Sequence, residues 1–150
     1  MMRFILPDDA EDEGIRFFYK DVDKCLEDEA FYSEWLKKVA ISEGRNIGLV
    51  QVIFLSDDAL LEMNRTFLGH DYFTDIITFP LEDDPMEAEL YISIDRVRDN
   101  ALSLGVGPDD EMARVMVHGL LHLCGYGDKD PAEQLEMREK ENQYLEQLKK

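Results

Sequence analysis

The stretch Val115-Met116-Val117-His118-Gly119-Leu120-Leu121-His122-Leu123-Cys124-Gly125-Tyr126-Gly127-Asp128 sets the reading of the whole chain. Its apolar residues recur at helical spacing. His118 and His122 stand four positions apart, so on a helix both imidazoles leave the same face. Two ring nitrogens placed in this way reach one metal ion. Gly125 ends the helix in a left-handed conformation, and the returning chain offers the Asp128 carboxylate from the opposite side. Three protein ligands leave a fourth position for water, the arrangement of a catalytic rather than a structural site. A single histidine on an apolar helix face is ordinary packing; two at this spacing, followed by Gly and then Asp, point to a metal. The chain has three histidines, so His70 is the one competitor of Asp128 for the third place.

Outward from this stretch, Pro108 at a first-turn position, with Asp109, Asp110 and Glu111 behind it, opens the histidine helix at the positive end of its dipole. Asp130-Pro131-Ala132-Glu133 reads as the start of a last helix, capped by Asp130, which leaves Asp128 free for the metal. Met137, Tyr144, Leu145 and Leu148 are its packing residues. Upstream, Ile15 to Tyr19 suits a strand, and Asp28 caps a helix carrying Phe31, Tyr32, Trp35, Leu36 and Val39. Leu49 to Leu55 has the nearly continuous apolar character of a central strand covered on both faces. Ser56 caps a helix with Leu60, Leu61, Asn64, Phe67 and Leu68 on its stripe, broken at Gly69-His70-Asp71. Strands follow at Asp75 to Phe79 and Leu90 to Ile94, joined by an acidic loop. Ser93 caps a further helix whose stripe is Ile94, Val97, Ala101 and Leu104. The expected fold class is α+β: one domain, a mixed sheet of about four strands with helices packed on it, at least one strand pair antiparallel, and a zincin-like metal helix.

At 150 residues the chain is long enough for one real core, expected over residues 14–150, with residues 1–13 an acidic N-terminal arm. No apolar run suits a membrane span or a signal peptide, so the expected location is cytoplasmic, without a membrane partner. Cys25 and Cys124 form no framework and are expected as free thiols. The net charge of −18 argues against an ordinary basic nucleic-acid binder. Glu82, Asp83, Asp84, Glu87 and Glu89 read as a solvated acidic run. Binding of RNA therefore calls for a locally basic cleft.

The segment His118 to Tyr126 closely resembles the YbeY family of metal-dependent endoribonucleases that mature rRNA. Thr74-Asp75-Ile76-Ile77-Thr78-Phe79-Pro80 is similar to that family's Thr-Asp-Val-Leu-Ser-Phe-Pro strand, Met63-Asn64 to its Leu-Asn pair, and Glu89 to Ser93 to its Gly-Asp-Ile-x-Ile-Ser strand. Together these cover about residues 48 to 148, in order. Two positions depart from the pattern: Asp128 stands where the family's third ligand is usually His, and Leu68 where it carries an Arg. Compared with the zincin pattern His-Glu-x-x-His-x-x-Gly-x-x-His, Gly119 replaces the general-base Glu, which disfavours a peptidase.

The resemblance implies a zinc-dependent endoribonuclease, specific for single strands, acting in 3′-end maturation of small-subunit (16S) rRNA, with RNA and the ribosomal small subunit as partners. His118, His122 and Asp128 would hold the ion. Thr74, Thr78 and Ser93 are candidates to line the cleft, and Arg114, one turn before His118, to meet phosphate. The other readings are a ribosome-assembly binding protein with a structural metal, and a metallohydrolase of another substrate.

Overall fold

A computed structural model describes residues 14–149; the acidic arm expected over residues 1–13 lies outside them. The described residues run β1 (Gly14–Tyr19), α1 (Glu29–Ser42), β2 (Ile47–Leu55), α2 (Asp57–Leu68), β3 (Ile76–Glu82), β4 (Met86–Ser93), α3 (Ile94–Leu104), α4 (Pro108–Leu123) and α5 (Pro131–Leu145), with a 3-10 turn at Glu146–Leu148. The sheet order is β1-β2-β4-β3. β1, β2 and β4 are parallel, and β3 pairs antiparallel with β4. This is the mixed four-stranded α+β domain read from the sequence. β2 is interior, and Val50 to Leu55 are buried along its length, as a strand covered on both faces requires.

One face of the sheet, with Val50, Val52, Phe54, Leu90 and Ile92, packs against α1, α3, α4 and α5. The other, with Ile53, Leu55, Ile77, Phe79 and Tyr91, packs against Leu60 and Met63 of α2. α4 is the hub of the domain and touches α1, α3, α5, β3 and β4. Helix starts follow the capping residues in the sequence. Asp28, Ser56, Ser93 and Asp130 accept the backbone N–H of Phe31, Ala59, Arg96 and Glu133, so each satisfies a donor that the helix itself leaves unpaired.

The structure differs from expectation at the β3–β4 hairpin. Both strands are longer, because Pro80, which has no N–H to give, sits in an edge strand where that loss is tolerated. The acidic loop shrinks to a tight turn around Asp83, Asp84 and Pro85. Glu89 accordingly lies inside β4, fully buried, and accepts the Tyr91 hydroxyl at 3.1 Å; it is no part of a solvated run. Four residues read as core stripe, Phe31, Phe67, Leu68 and Leu104, remain exposed. Phe31 stands in the first turn of α1 and the other three in the last turns of α2 and α3, and Phe67 reaches only the edge of the sheet, meeting Phe79 edge-on at 6.0 Å.

Glu43, just past α1, ties the C-terminal side of the fold together. Its carboxylate accepts the hydroxyls of Tyr126, at 2.7 Å, and Tyr144, and the Lys140 ammonium at 3.3 Å. Burial works against its charge, but these three donors outweigh it and hold the carboxyl below its ordinary 4.5. With the folded value below the unfolded one, the stabilisation is present above the unfolded pKa and fades as pH falls through the folded one. Glu43→Ala is expected to cost about 2–3 kcal/mol in urea unfolding at neutral pH. The gap from wild type should narrow as the titration is carried below pH 4.5; a gap that stays constant down to acid unfolding would show that the charge is not what stabilises.

Candidate metal centre

The two histidines project from the strip of α4 that stays partly open to solvent beside α5. Their rings stand edge to face, centroids 4.8 Å apart. α4 ends at Leu123, and Gly125 at φ 109° reverses the chain, so that Asp128 comes back over the same face. Asp128 Oδ2 lies 3.3 Å from His118 Nε2 and 3.2 Å from His122 Nε2. Donors about 2.0–2.1 Å from an ion at the corners of a tetrahedron stand about 3.3–3.4 Å apart. The donor set therefore fits one small divalent ion, and all three ligand atoms lie within 4.8 Å of one another.

A second layer orients the first. His118 Nδ1–H donates to Glu141 Oε2 at 2.7 Å. A carboxylate only accepts, so the proton sits on Nδ1 and the Nε2 lone pair faces Asp128. Arg114 donates to Glu141 Oε1 and to Asn142 Oδ1, each at 2.8 Å, and so holds the carboxylate that holds the histidine. Burial disfavours the charged form of His118, but the Glu141 hydrogen bond and the charges of Glu141, Asp128 and Asp75 prevail and raise its pKa. Burial likewise opposes ionisation of Glu141, and its hydrogen bonds from His118 and Arg114 bring its pKa below the usual range.

The histidine face opens into a cleft of about 360 Å³ between α4 and α5, lined among others by Asp75, Glu111, Arg114, Asp128, Arg138 and Glu141. Burial raises the pKa of Asp75 and, aided by the charge of Asp75, that of Glu111. Both can carry a proton at the cleft wall nearer neutrality than an ordinary carboxylate. Of the residues considered from sequence, Arg114 lines the cleft, bonded to Glu141 rather than facing solvent, while Thr74 and Thr78 are not among its lining residues. Ser93 is buried as the cap of α3 and donates to Asp57 at 3.0 Å. His70 lies outside the cluster and stacks on Tyr72 at 5.1 Å. Sequence reasoning assigned no site role to Asp75 or Glu141, and read Glu111 only as a first-turn acid of α4. Glu111, Arg114 and His118 do share one face of α4 at spacings of three and four, a signal that could have found the first of them.

Gly119 has a steric reason. A Cβ there would come within 2.7 Å of Ile76 Cδ1 and 3.2 Å of Leu90 Cδ2, because α4 presses directly on β3 and β4. The position faces the sheet, and a glutamate has no room in it.

The Endoribonuclease YbeY family model matches residues 18–149. The chain belongs to the YbeY family. It is 49% identical to the Endoribonuclease YbeY of Bacteroides thetaiotaomicron over 75% of this chain and 83% of that one. It is 45% identical to that of Cytophaga hutchinsonii over 90% of this chain and 96% of that one. Among solved structures, the solution structure of TM1509 from Thermotoga maritima superposes with a TM-score of 0.64 at 32% identity, covering 88% of this chain and 87% of that one. The YbeY resemblance read from the sequence is thus confirmed, and with it the fold.

The terminal methyl of Ile76 can rotate away, and alanine is the better helix former by about 1 kcal/mol. Gly119→Ala is therefore expected to leave stability within about 1 kcal/mol of wild type, whereas Gly119→Glu, which forces a charge between helix and sheet, should cost at least about 3 kcal/mol. Urea titration of the two variants checks this, and a well-folded Gly119→Glu protein would contradict the packing described.

Proposed function

We propose that this chain is a zinc-dependent endoribonuclease specific for single strands, acting in 3′-end maturation of small-subunit (16S) rRNA and in ribosome biogenesis in the cytoplasm. As a member of the endoribonuclease YbeY family it is a hydrolytic nuclease with an RNA substrate. The observation that carries the finer reading is the convergence of His118 Nε2, His122 Nε2 and Asp128 Oδ2 beside an open cleft that His118 and Asp128 line. Two imidazoles and a carboxylate at tetrahedral spacing suit zinc. The anionic oxygen in place of a third imidazole moves the preference modestly toward harder ions such as manganese. When bound, the ion supplies Lewis acidity, lowering the pKa of water or polarising a phosphodiester oxygen.

The protein's own groups divide the remaining work. His118, His122 and Asp128 hold the ion. Glu141, braced by Arg114, keeps His118 in the right tautomer. Asp75 and Glu111 accept or return protons at the wall, a task that Gly119 cannot perform. The cleft of about 360 Å³ has room for a scissile linkage, and the preference for single strands rests on the family. The rRNA and small-subunit setting rests on the family. Among the described residues no helix is long and apolar enough to cross a membrane.

Purified protein should carry about one equivalent of zinc. Asp128→Ala should weaken zinc binding strongly, Asp128→His should retain it, and His70→Ala should change it little. Release of the metal by His70→Ala but not by Asp128→Ala would reassign the third ligand. The activity test uses metal-loaded protein with single-stranded RNA, duplex RNA and casein. Cleavage of the single strand alone, abolished by chelation and by His118→Ala, is the expected result; cleavage of casein, or of no substrate, would end this reading. Because the chain carries a net charge of −18, RNA affinity should fall only shallowly with salt, with few counterions released. A steep dependence would contradict the surface described.

A further inference from the structure

We propose that Arg138 grips a backbone phosphate of the substrate strand inside the cleft, an inference that rests on the RNA-cleaving reading above. Two guanidinium groups line the cleft. Arg114 is committed: it makes hydrogen bonds of 2.8 Å to Glu141 and to Asn142, and its side chain is 24% exposed. Arg138 approaches Glu141 no closer than 3.8 Å, beyond hydrogen-bonding distance, and is 58% exposed. It stands one turn after Gln134, whose amide donates to the Asp128 carbonyl at 3.1 Å, and just under one turn before Glu141, which holds His118. Its donors are therefore presented to solvent beside the residues that converge on the metal position.

The charge around it makes a cation necessary there. The chain is strongly acidic, and the cleft also carries Asp75, Glu111, Asp128 and Glu141. With Arg114 spent on Glu141, a phosphodiester entering the cleft meets carboxylates except at Arg138 and the ion. A guanidinium presents a planar fork of donors and no acceptor, which matches two phosphate oxygens at once. The loose, solvent-facing contact of Arg138 with Glu141 is easily exchanged for such a ligand, whereas the two short bonds of Arg114 are not.

The experiment compares wild type, Arg138→Ala, Arg138→Lys and, as a control on an exposed arginine of α3 away from the cleft, Arg98→Ala. Three quantities are read: zinc content, kcat/KM on a single-stranded RNA, and the salt dependence of binding of that RNA to chelator-treated protein, followed by fluorescence anisotropy. Arg138→Ala should keep its zinc, lose about 10- to 100-fold in kcat/KM and lose about one unit of salt slope. Arg138→Lys should keep the slope and recover only part of the rate, because the charge remains and the fork does not. Arg98→Ala should match wild type in all three. An Arg138→Ala protein that cleaves and binds like wild type, or that loses its zinc, overturns the proposal. Should wild type itself cleave no RNA, the nuclease reading falls, and the binding arm still decides Arg138: a reduced slope supports it and an unchanged slope overturns it.

Discussion

The close approach of α4 to the sheet governs the rest of the structure. At Gly119 the helix backbone lies so near β3 and β4 that the side chains of Ile76 and Leu90 fill the place of a Cβ. The turns around it bury Met112, Val115, Met116, Leu120 and Leu121 in the main core. With neighbours on nearly every side, the helix keeps only one strip toward solvent, and His118 and His122 lie on it. The metal face is what remains after packing has used the others. This gives the site a rigid floor, since moving either histidine backbone would open a gap in the core that α4 fills.

The same geometry explains the absence of a carboxylate at position 119. In a zincin helix the residue after the first histidine serves the reaction; here that direction points into the sheet. Carboxylates reach the cleft instead from other elements: Asp75 from the segment entering β3, Asp128 from the turn after α4, and Glu141 from α5. The cleft carboxylates and the His118–His122–Asp128 cluster thus depend on the packing of four separate segments, and α5 in particular is needed for the tautomer of His118.

What the sequence made legible and what it did not divide along this line. The histidine pair, the element order, the four side-chain caps and the YbeY resemblance are local patterns, each written in a few neighbouring residues. Asp130 is bonded as a cap, which left Asp128 available, and this too was local. Glu141 was not legible, because its role comes from lying across from His118, 23 positions earlier in the chain. Arg114 was rightly placed on the histidine face, but whether it meets solvent or a carboxylate is decided by α5, which no spacing on α4 reports. Glu89 was misread for the opposite reason: in composition it belongs to an acidic run, and only the longer strand, with Pro80 tolerated at the sheet edge, buries it.

A strongly acidic protein that handles a polyanion must confine its attraction to one place. Four carboxylates and two arginines line the cleft, so a divalent ion brings the lining close to neutrality even with every acid ionised. Asp75 and Glu111, whose pKa values are raised chiefly by burial, take up protons more readily than ordinary carboxylates, which moves the balance toward positive charge. Outside the cleft the surface charge is mainly negative, and salt screens it over about 10 Å at moderate ionic strength. A strand is therefore repelled along most of its length and tolerated where the ion and Arg138 coincide. Selectivity in such a molecule comes less from affinity than from exclusion, because little besides a phosphate seated at the metal offsets the repulsion elsewhere.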